Sequence, residues 1–192
     1  MIVGIIPARI GSKRLTKKNI RSVCNKPMIQ WTIDASLNSK YLTKENLIVS
    51  TASEEIKDTV KDMCLVHDRP ELLSRDDVWI QPVIDNAIQN LNLKEEDIIV
   101  ILQPNSPQIT SDIIDECIEK VIQENIWQVS TVDENFVNNG HIHVLRKKVC
   151  EHKGKANYNG FVMVDWIDVH TLEDMQKAEN KMMEKNNENS ID

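Results

Sequence analysis

Arg9, Ser12, Lys13, Arg14 and Lys18 crowd into ten residues, with Gly11 among them and Asn19 directly after. Side chains of these types in one loop do one thing well, which is to hold a multiply charged anion. Several cations offset the repulsion within a polyphosphate, and a glycine-bearing loop offers free backbone N–H groups to its oxygens. The setting fits, because the loop follows the apolar run Met1-Ile2-Val3-Gly4-Ile5-Ile6, which reads as a buried strand. A solvated basic loop or a nucleic-acid patch would give the same composition. The Gly-x-x-x-x-Gly-Lys-Ser/Thr spacing of a P-loop is missing, as is the Gly-x-Gly-x-x-Gly of a dinucleotide fold, so an ATPase or a Rossmann dehydrogenase fits poorly.

Charge distribution narrows the choice. The first 33 residues hold seven basic side chains and no acidic one, and the rest of the chain holds 16 basic against 30 acidic. With a net charge of −7, the surface beyond the loop repels nucleic acid and anionic membranes, so neither is an expected partner. No apolar stretch approaches a membrane span and no signal peptide stands at the start, so a cytoplasmic protein is expected. Cys24, Cys64, Cys117 and Cys150 lie far apart with no Cys-x-x-Cys pair, which reads as four thiols without zinc or disulfides.

Elements to position the loop follow from apolar periodicity. A chain of 192 residues, 41% apolar, suits one domain. Apolar runs alternate with helical patterns, which predicts a single-domain α/β fold, a mostly parallel sheet with helices on both faces. Predicted strands are the N-terminal run, Leu47–Val49, Cys64–Val66, the very apolar Ile98–Leu102, and two strands near Gln128–Val132 and His141–Leu145 at the sheet's far edge. Predicted helices bury Met28, Trp31 and Ala35; Ile84, Ala87, Ile88 and Leu91; Ile114, Cys117, Ile118, Val121 and Ile122; and Leu172, Met175, Ala178 and Met182. Ser53 and Thr171 are expected caps, the latter in a capping box with Asp174. The domain is expected to span 1–184, with 185–192 a disordered tail.

Five segments together resemble one family. Ile6-Pro7-Ala8-Arg9-x-Gly11-Ser12-Lys13-Arg14-Leu15-x-x-Lys18-Asn19, Arg69-Pro70-Glu71-Leu72, Leu102-Gln103-Pro104-Asn105-Ser106-Pro107, Asn139-Gly140 and Asp168-x-x-Thr171-x-x-Asp174 run in the order seen in acylneuraminate (sialic acid) cytidylyltransferases. The resemblance implies a nucleotide-diphospho-sugar transferase-like fold. It also implies transfer of CMP from CTP to a sialic-acid-like nonulosonic acid, a small acidic sugar, with release of pyrophosphate. Residue by residue, it implies nucleotide binding by Arg9, Gly11, Ser12, Lys13, Lys18, Asn19 and Arg69, and sugar binding by Gln103 and Asn139. Arg9, Lys18 and Asp168 would carry the catalysis, with Asp168 on a divalent metal, Mg²⁺ being expected and Mn²⁺ an alternative.

Plainer roles stand beside these. Arg69 could pair at the surface with Glu71 or Asp68, and the Gln103 turn could be held by the Asn105 and Ser106 side chains. The family's Asp-Ile-Asp metal motif is Asp168-Val169-His170 here, and imidazole suits magnesium poorly. His170 is thus a doubtful ligand, and Asp165 is a candidate for the missing carboxylate. His141 and His143 share a strand face and read as two solvated imidazoles in preference to a histidine metal site. Arg75-Asp76-Asp77-Val78-Trp79-Ile80 replaces the usual Thr/Ser segment, and the dimerisation arm is cut short between Val132 and Asn138. A monomer or weak homodimer is therefore expected. Two alternatives to sialic acid activation remain: the same chemistry on an octulosonic acid or a phosphonate, and a catalytically weak relative that only binds nucleotide.

Overall fold

A computed structural model describes residues 1–151 and 158–188. Its seven-stranded sheet is assembled around β1 (Ile2–Pro7), whose five positions from Val3 onward are buried. Gly4 is closely packed there: a Cβ would lie 2.8 Å from a Leu47 methyl carbon and 3.2 Å from Leu42, so those side chains would have to shift. Parallel neighbours of β1 are β4 (Leu47–Thr51) on one side and β6 (Ile98–Leu102) on the other, and β5 (Leu65–Asp68) adds outside β4. β8 (Asn138–Arg146) runs antiparallel to both β6 and β7 (Gln128–Val132), and β9 (Asn159–Met163) closes the edge parallel to β7. The order is β5-β4-β1-β6-β8-β7-β9. A short hairpin, β2 (Ser22–Val23) and β3 (Lys26–Pro27), stands apart, with Cys24 and Asn25 both at positive φ in its turn.

Helices cover both faces, as the sequence predicts. On one face α1 (Met28–Leu37), α2 (Glu54–Val60) and α4 (Ser111–Gln123) seal a core that contains Ile33, Val49, Ile56, Val100 and Ile118. On the other, α3 (Ile80–Ile88) packs Ile84, Ala87 and Ile88 over Val3, Ile5 and Ile99, with α5 (Lys147–Glu151) beside it. A third, smaller cluster matters most for the site. It clamps Leu15 of the basic loop and Val23 against Val169 and against Met175 and Ala178 of α6 (Leu172–Glu188). The Ser53 cap on Ile56 N–H and the Thr171–Asp174 capping box are both formed.

Several expectations need correction. β8 lies inside the sheet, since β7 and then β9 add beyond it, and β9 had no recognised pattern. Ile122 at 44% and Leu172 at 49% are exposed, because they sit at helix ends where the covering layer stops. The α1 face turned inward is Met28, Ile29, Thr32, Ile33 and Ser36, leaving Trp31 and Ala35 half-buried. α6 ends at Glu188, and residues 189–192 of the expected tail lie outside the described residues. Burial pushes the Cys64 thiol up to about 11 and the Cys117 thiol up to about 12, which keeps both protonated at neutral pH.

Candidate functional site

The strand order itself locates a site. From β1 the chain moves outward through β4 and β5, then returns to β6 on the other side of β1, so the connections leaving β1 and β6 diverge. Ligands in open α/β sheets bind in the crevice at the carboxyl ends of such a pair. There the structure has a cleft of about 620 Å³.

The loop after β1 supplies Arg9, Gly11, Ser12, Lys13 and Arg14 to this cleft, and the 3-10 turn at Lys18–Ile20 supplies Lys18 and Asn19. Arg69 follows β5, Gln103 and Asn105 follow β6, Asn139 and Gly140 belong to β8, and Asp168 and His170 precede α6. Every candidate residue is therefore at the cleft except Asp165. That carboxylate is 95% exposed, ion-paired with Lys181, and lines a separate pocket beside Trp31 and Trp166. It lines that pocket and not the cleft that Asp168 lines.

The local bonds explain the geometry. The Asn19 amide, 6% exposed, donates to the Arg9 carbonyl at 2.9 Å and pins the start of the loop to the turn that carries Lys18. Lys18 Nζ donates to the Val169 carbonyl at 2.8 Å and lies 3.5 Å from His170 Nδ1. Burial lowers its pKa, with Asp168 opposing the shift and Arg14 and Arg9 adding to it. Arg69 is 5% exposed and is not the surface ion pair considered above. Its guanidinium donates to the Ala8 carbonyl at 2.8 Å and to Ser74 Oγ at 3.1 Å, and Asp68 pairs with Lys57 instead. No carboxylate neutralises it among the described residues, and burial with Arg9 nearby lowers its pKa to about 10. A buried cation without a counter-ion is costly unless an anion arrives.

Arg69 therefore carries a prediction that separates function from folding. In Arg69→Met the apolar stem is kept and the uncompensated charge removed, so thermal stability should hold or rise. Anion affinity should fall by about tenfold or more, since a charge-assisted bond is lost. A drop in melting temperature with unchanged nucleotide affinity in calorimetry would make Arg69 purely structural.

Asp168, which lines the same cleft, is held at both oxygens. One accepts from the Asn105 amide, and the other is 2.7 Å from His170 Nε2. Asn105 also donates to the Val169 carbonyl at 3.2 Å, while Ser106 Oγ is 2.5 Å from His141 Nδ1. The turn after β6 is thus held by Asn105 and Ser106, and Gln103 faces the cleft as well, with no side-chain hydrogen-bond partner among the described residues. Asn139 Oδ1 accepts from Thr131 at 2.7 Å. The two histidines of β8 are not solvated. His141 is 1% exposed, His143 is 3.1 Å from Gln128, and burial lowers the pKa of each, because β8 is an interior strand.

A divalent ion has limited support from the protein alone. Among the described residues no three His, Cys, Asp or Glu side chains are grouped to hold one. Magnesium is commonly bound through one or two carboxylates plus substrate phosphates, and Asp168, lining the same cleft as the cations, fits that pattern. An ion that arrives on a polyphosphate therefore suits the residues present.

Sequence reasoning missed Asp76. Its carboxylate takes Arg9 Nη1 at 2.5 Å and Lys13 Nζ at 2.9 Å. Only the fold brings it there, so no local signal could have found it.

Comparison with known proteins decides the family. The profile of the family described as cytidylyltransferase matches residues 3–161. The chain belongs to the cytidylyltransferase family. Among curated relatives of this cytidylyltransferase-family chain, the 3-deoxy-manno-octulosonate cytidylyltransferase of Francisella tularensis subsp. tularensis is 31% identical over 135 residues, 70% of this chain and 51% of that protein. The chain spans about half the length of the curated relatives it first matches. In fold it is similar to a CMP:2-keto-3-deoxy-manno-octonic acid synthetase complexed with CTP, with a TM-score of 0.75 at 14% identity over 96% of this chain and 99% of that one. It is also similar to a Mycobacterium tuberculosis H37Rv protein, Rv0371C, in complex with manganese, with a TM-score of 0.65 at 14% identity over 93% of this chain and 98% of that one. The broad resemblance to cytidylyltransferases holds, and the Francisella relative and the synthetase complexed with CTP carry the octulosonate name in place of the acylneuraminate one.

Proposed function

We propose that the protein transfers CMP from CTP to the hydroxyl of a 3-deoxy-octulosonic acid and releases pyrophosphate. The observation that carries the proposal is the convergence of Arg9, Lys13, Lys18 and the buried, uncompensated Arg69 at the switch-point cleft, which Asp168 also lines. An eight-carbon acceptor is preferred to a nine-carbon sialic acid because the named relatives act on octulosonate. Sialic acid is the second reading.

In this account the basic loop and Arg69 hold the triphosphate and offset its charge, and Gln103 and Asn139 meet the acceptor's hydroxyls. The acceptor hydroxyl attacks the α-phosphorus in line and gives up its proton to solvent, and the bond from that phosphorus to the bridging oxygen breaks as pyrophosphate departs. Arg9 and Lys18 stabilise the charge that builds on the leaving group. Asp168 would hold a divalent ion, which when bound spreads charge on the phosphate oxygens. Magnesium is the expected ion and manganese the alternative.

We also infer that the short turn between β7 and β8 leaves the chain monomeric or weakly dimeric, since a persistent interface needs on the order of 1,000 Å² of packed surface. Pyrophosphate release with CTP, Mg²⁺ or Mn²⁺, and a panel of acids tests the substrate reading. Turnover with the octulosonic acid, well above that with a sialic acid or a phosphonate, is the expected result. Preference for sialic acid would restore the second reading, and tight CTP binding without turnover would make the chain a nucleotide binder.

A further inference from the structure

Asp76 occupies the place where the proposed phosphates belong. Its two carboxylate oxygens each take a cation of the basic loop, Arg9 at 2.5 Å and Lys13 at 2.9 Å, although 67 residues separate Asp76 from Arg9. Apart from these two ion pairs, the segment bearing it is anchored to the core at its ends. Before it, Ser74 closes a short 3-10 turn and accepts from buried Arg69; after it, Val83 and Ile84 of α3 are buried. Between these anchors Asp76 is 40% exposed on its side chain and Trp79 is 83% exposed, so the strap can move without opening the core. The two cations hold the Asp76 carboxyl below the usual range, so it is charged at neutral pH.

An incoming anion must therefore displace a carboxylate that already satisfies Arg9 and Lys13. A monophosphate would exchange one anionic group for another and gain little. A triphosphate can take over both cations and still reach Lys18 and Arg69. After transfer, the carboxylate is placed to reclaim Arg9 and Lys13 and to help expel pyrophosphate. Resting on the cytidylyl-transfer reading above, we propose that Asp76 acts as an internal competitor for the phosphate site, loosening the hold of Arg9 and Lys13 on the triphosphate and on pyrophosphate and so speeding pyrophosphate release.

The test is calorimetry of CTP, CMP and inorganic pyrophosphate with wild type, Asp76→Asn and Asp77→Asn. Asp77 pairs with Arg75 at 3.1 Å, so its variant removes the same charge from the same strap without freeing Arg9 or Lys13. Since each exposed pair contributes at most about a fivefold effect, Asp76→Asn should tighten CTP and pyrophosphate by roughly five- to tenfold beyond Asp77→Asn and change CMP by less than about twofold. In turnover, product inhibition by pyrophosphate should deepen to the same extent while the KM for CTP falls. Equal effects of the two substitutions, or weaker CTP binding in Asp76→Asn, would overturn the competitor role and leave the reading of the cleft intact. Failure of the wild type to bind either CTP or pyrophosphate would overturn both.

Discussion

Asp168→Asn should lower the rate of CMP transfer by about a hundredfold or more while leaving the fold and CTP affinity in the absence of metal nearly unchanged. The reasoning is local. Asp168 lines the cleft close enough to Lys18 for its charge to act on that ammonium; both its oxygens are oriented, by Asn105 and by His170, and an amide cannot replace the charge. His170 is placed beside Asp168, and a direct role on metal is not needed for it. His170→Asp removes the imidazole and restores a second carboxylate, so it should shift the ratio of Mg²⁺- to Mn²⁺-supported rates toward Mg²⁺. Steady-state rates with each ion measure this directly. An Asp168→Asn variant as active as wild type would remove the proposed metal site, and an unaltered metal ratio in His170→Asp would confine His170 to holding Asp168.

Loss of a basic-loop cation should be nearly as damaging. Arg9→Ala and Lys18→Met are each expected to weaken CTP binding or slow transfer by about 2 kcal/mol or more, roughly thirtyfold. The two variants differ in what else they disturb. Arg9 is exposed on its side chain by 39% and its structural bond to Asn19 uses the backbone carbonyl, so the loop should survive its truncation. Lys18 also bonds the Val169 carbonyl, so its loss should loosen the approach to Asp168 and lower the rate in addition to affinity. Calorimetry with CTP and a thermal melt on each variant provide the check. Wild-type affinity in Arg9→Ala would mean that the triphosphate does not lie on this loop.

What the sequence made legible was local in origin. β1 and β6 announced themselves because a strand buried on both faces must be apolar at every position, and the basic loop stands out wherever it is found. Ser53 and Thr171 were readable because caps act within three or four residues. β8 was misplaced because its pattern is broken by His141 and His143, which look solvated until the fold buries His141 beside Ser106 and sets His143 against Gln128. β9 was invisible because its pairing with β7 is parallel and long-range, and its outward Phe161 and Met163 give no polar face. Within the site, Asp165 and Asp168 could not be told apart by type or spacing. The chain between them turns one toward Lys181 and the other toward Asn105, a difference set wholly by tertiary contacts.

The most direct test of the account is the product itself. Purified protein is incubated with CTP, Mg²⁺ and a 3-deoxy-octulosonic acid, and the mixture is analysed by mass spectrometry and phosphorus NMR. The account predicts a phosphodiester of CMP with the acid, in equal amount to the pyrophosphate released, and neither product in Asp168→Asn. CTP cleaved to CMP and pyrophosphate without the ester, or no CTP consumed with any sugar acid under either metal, would contradict it.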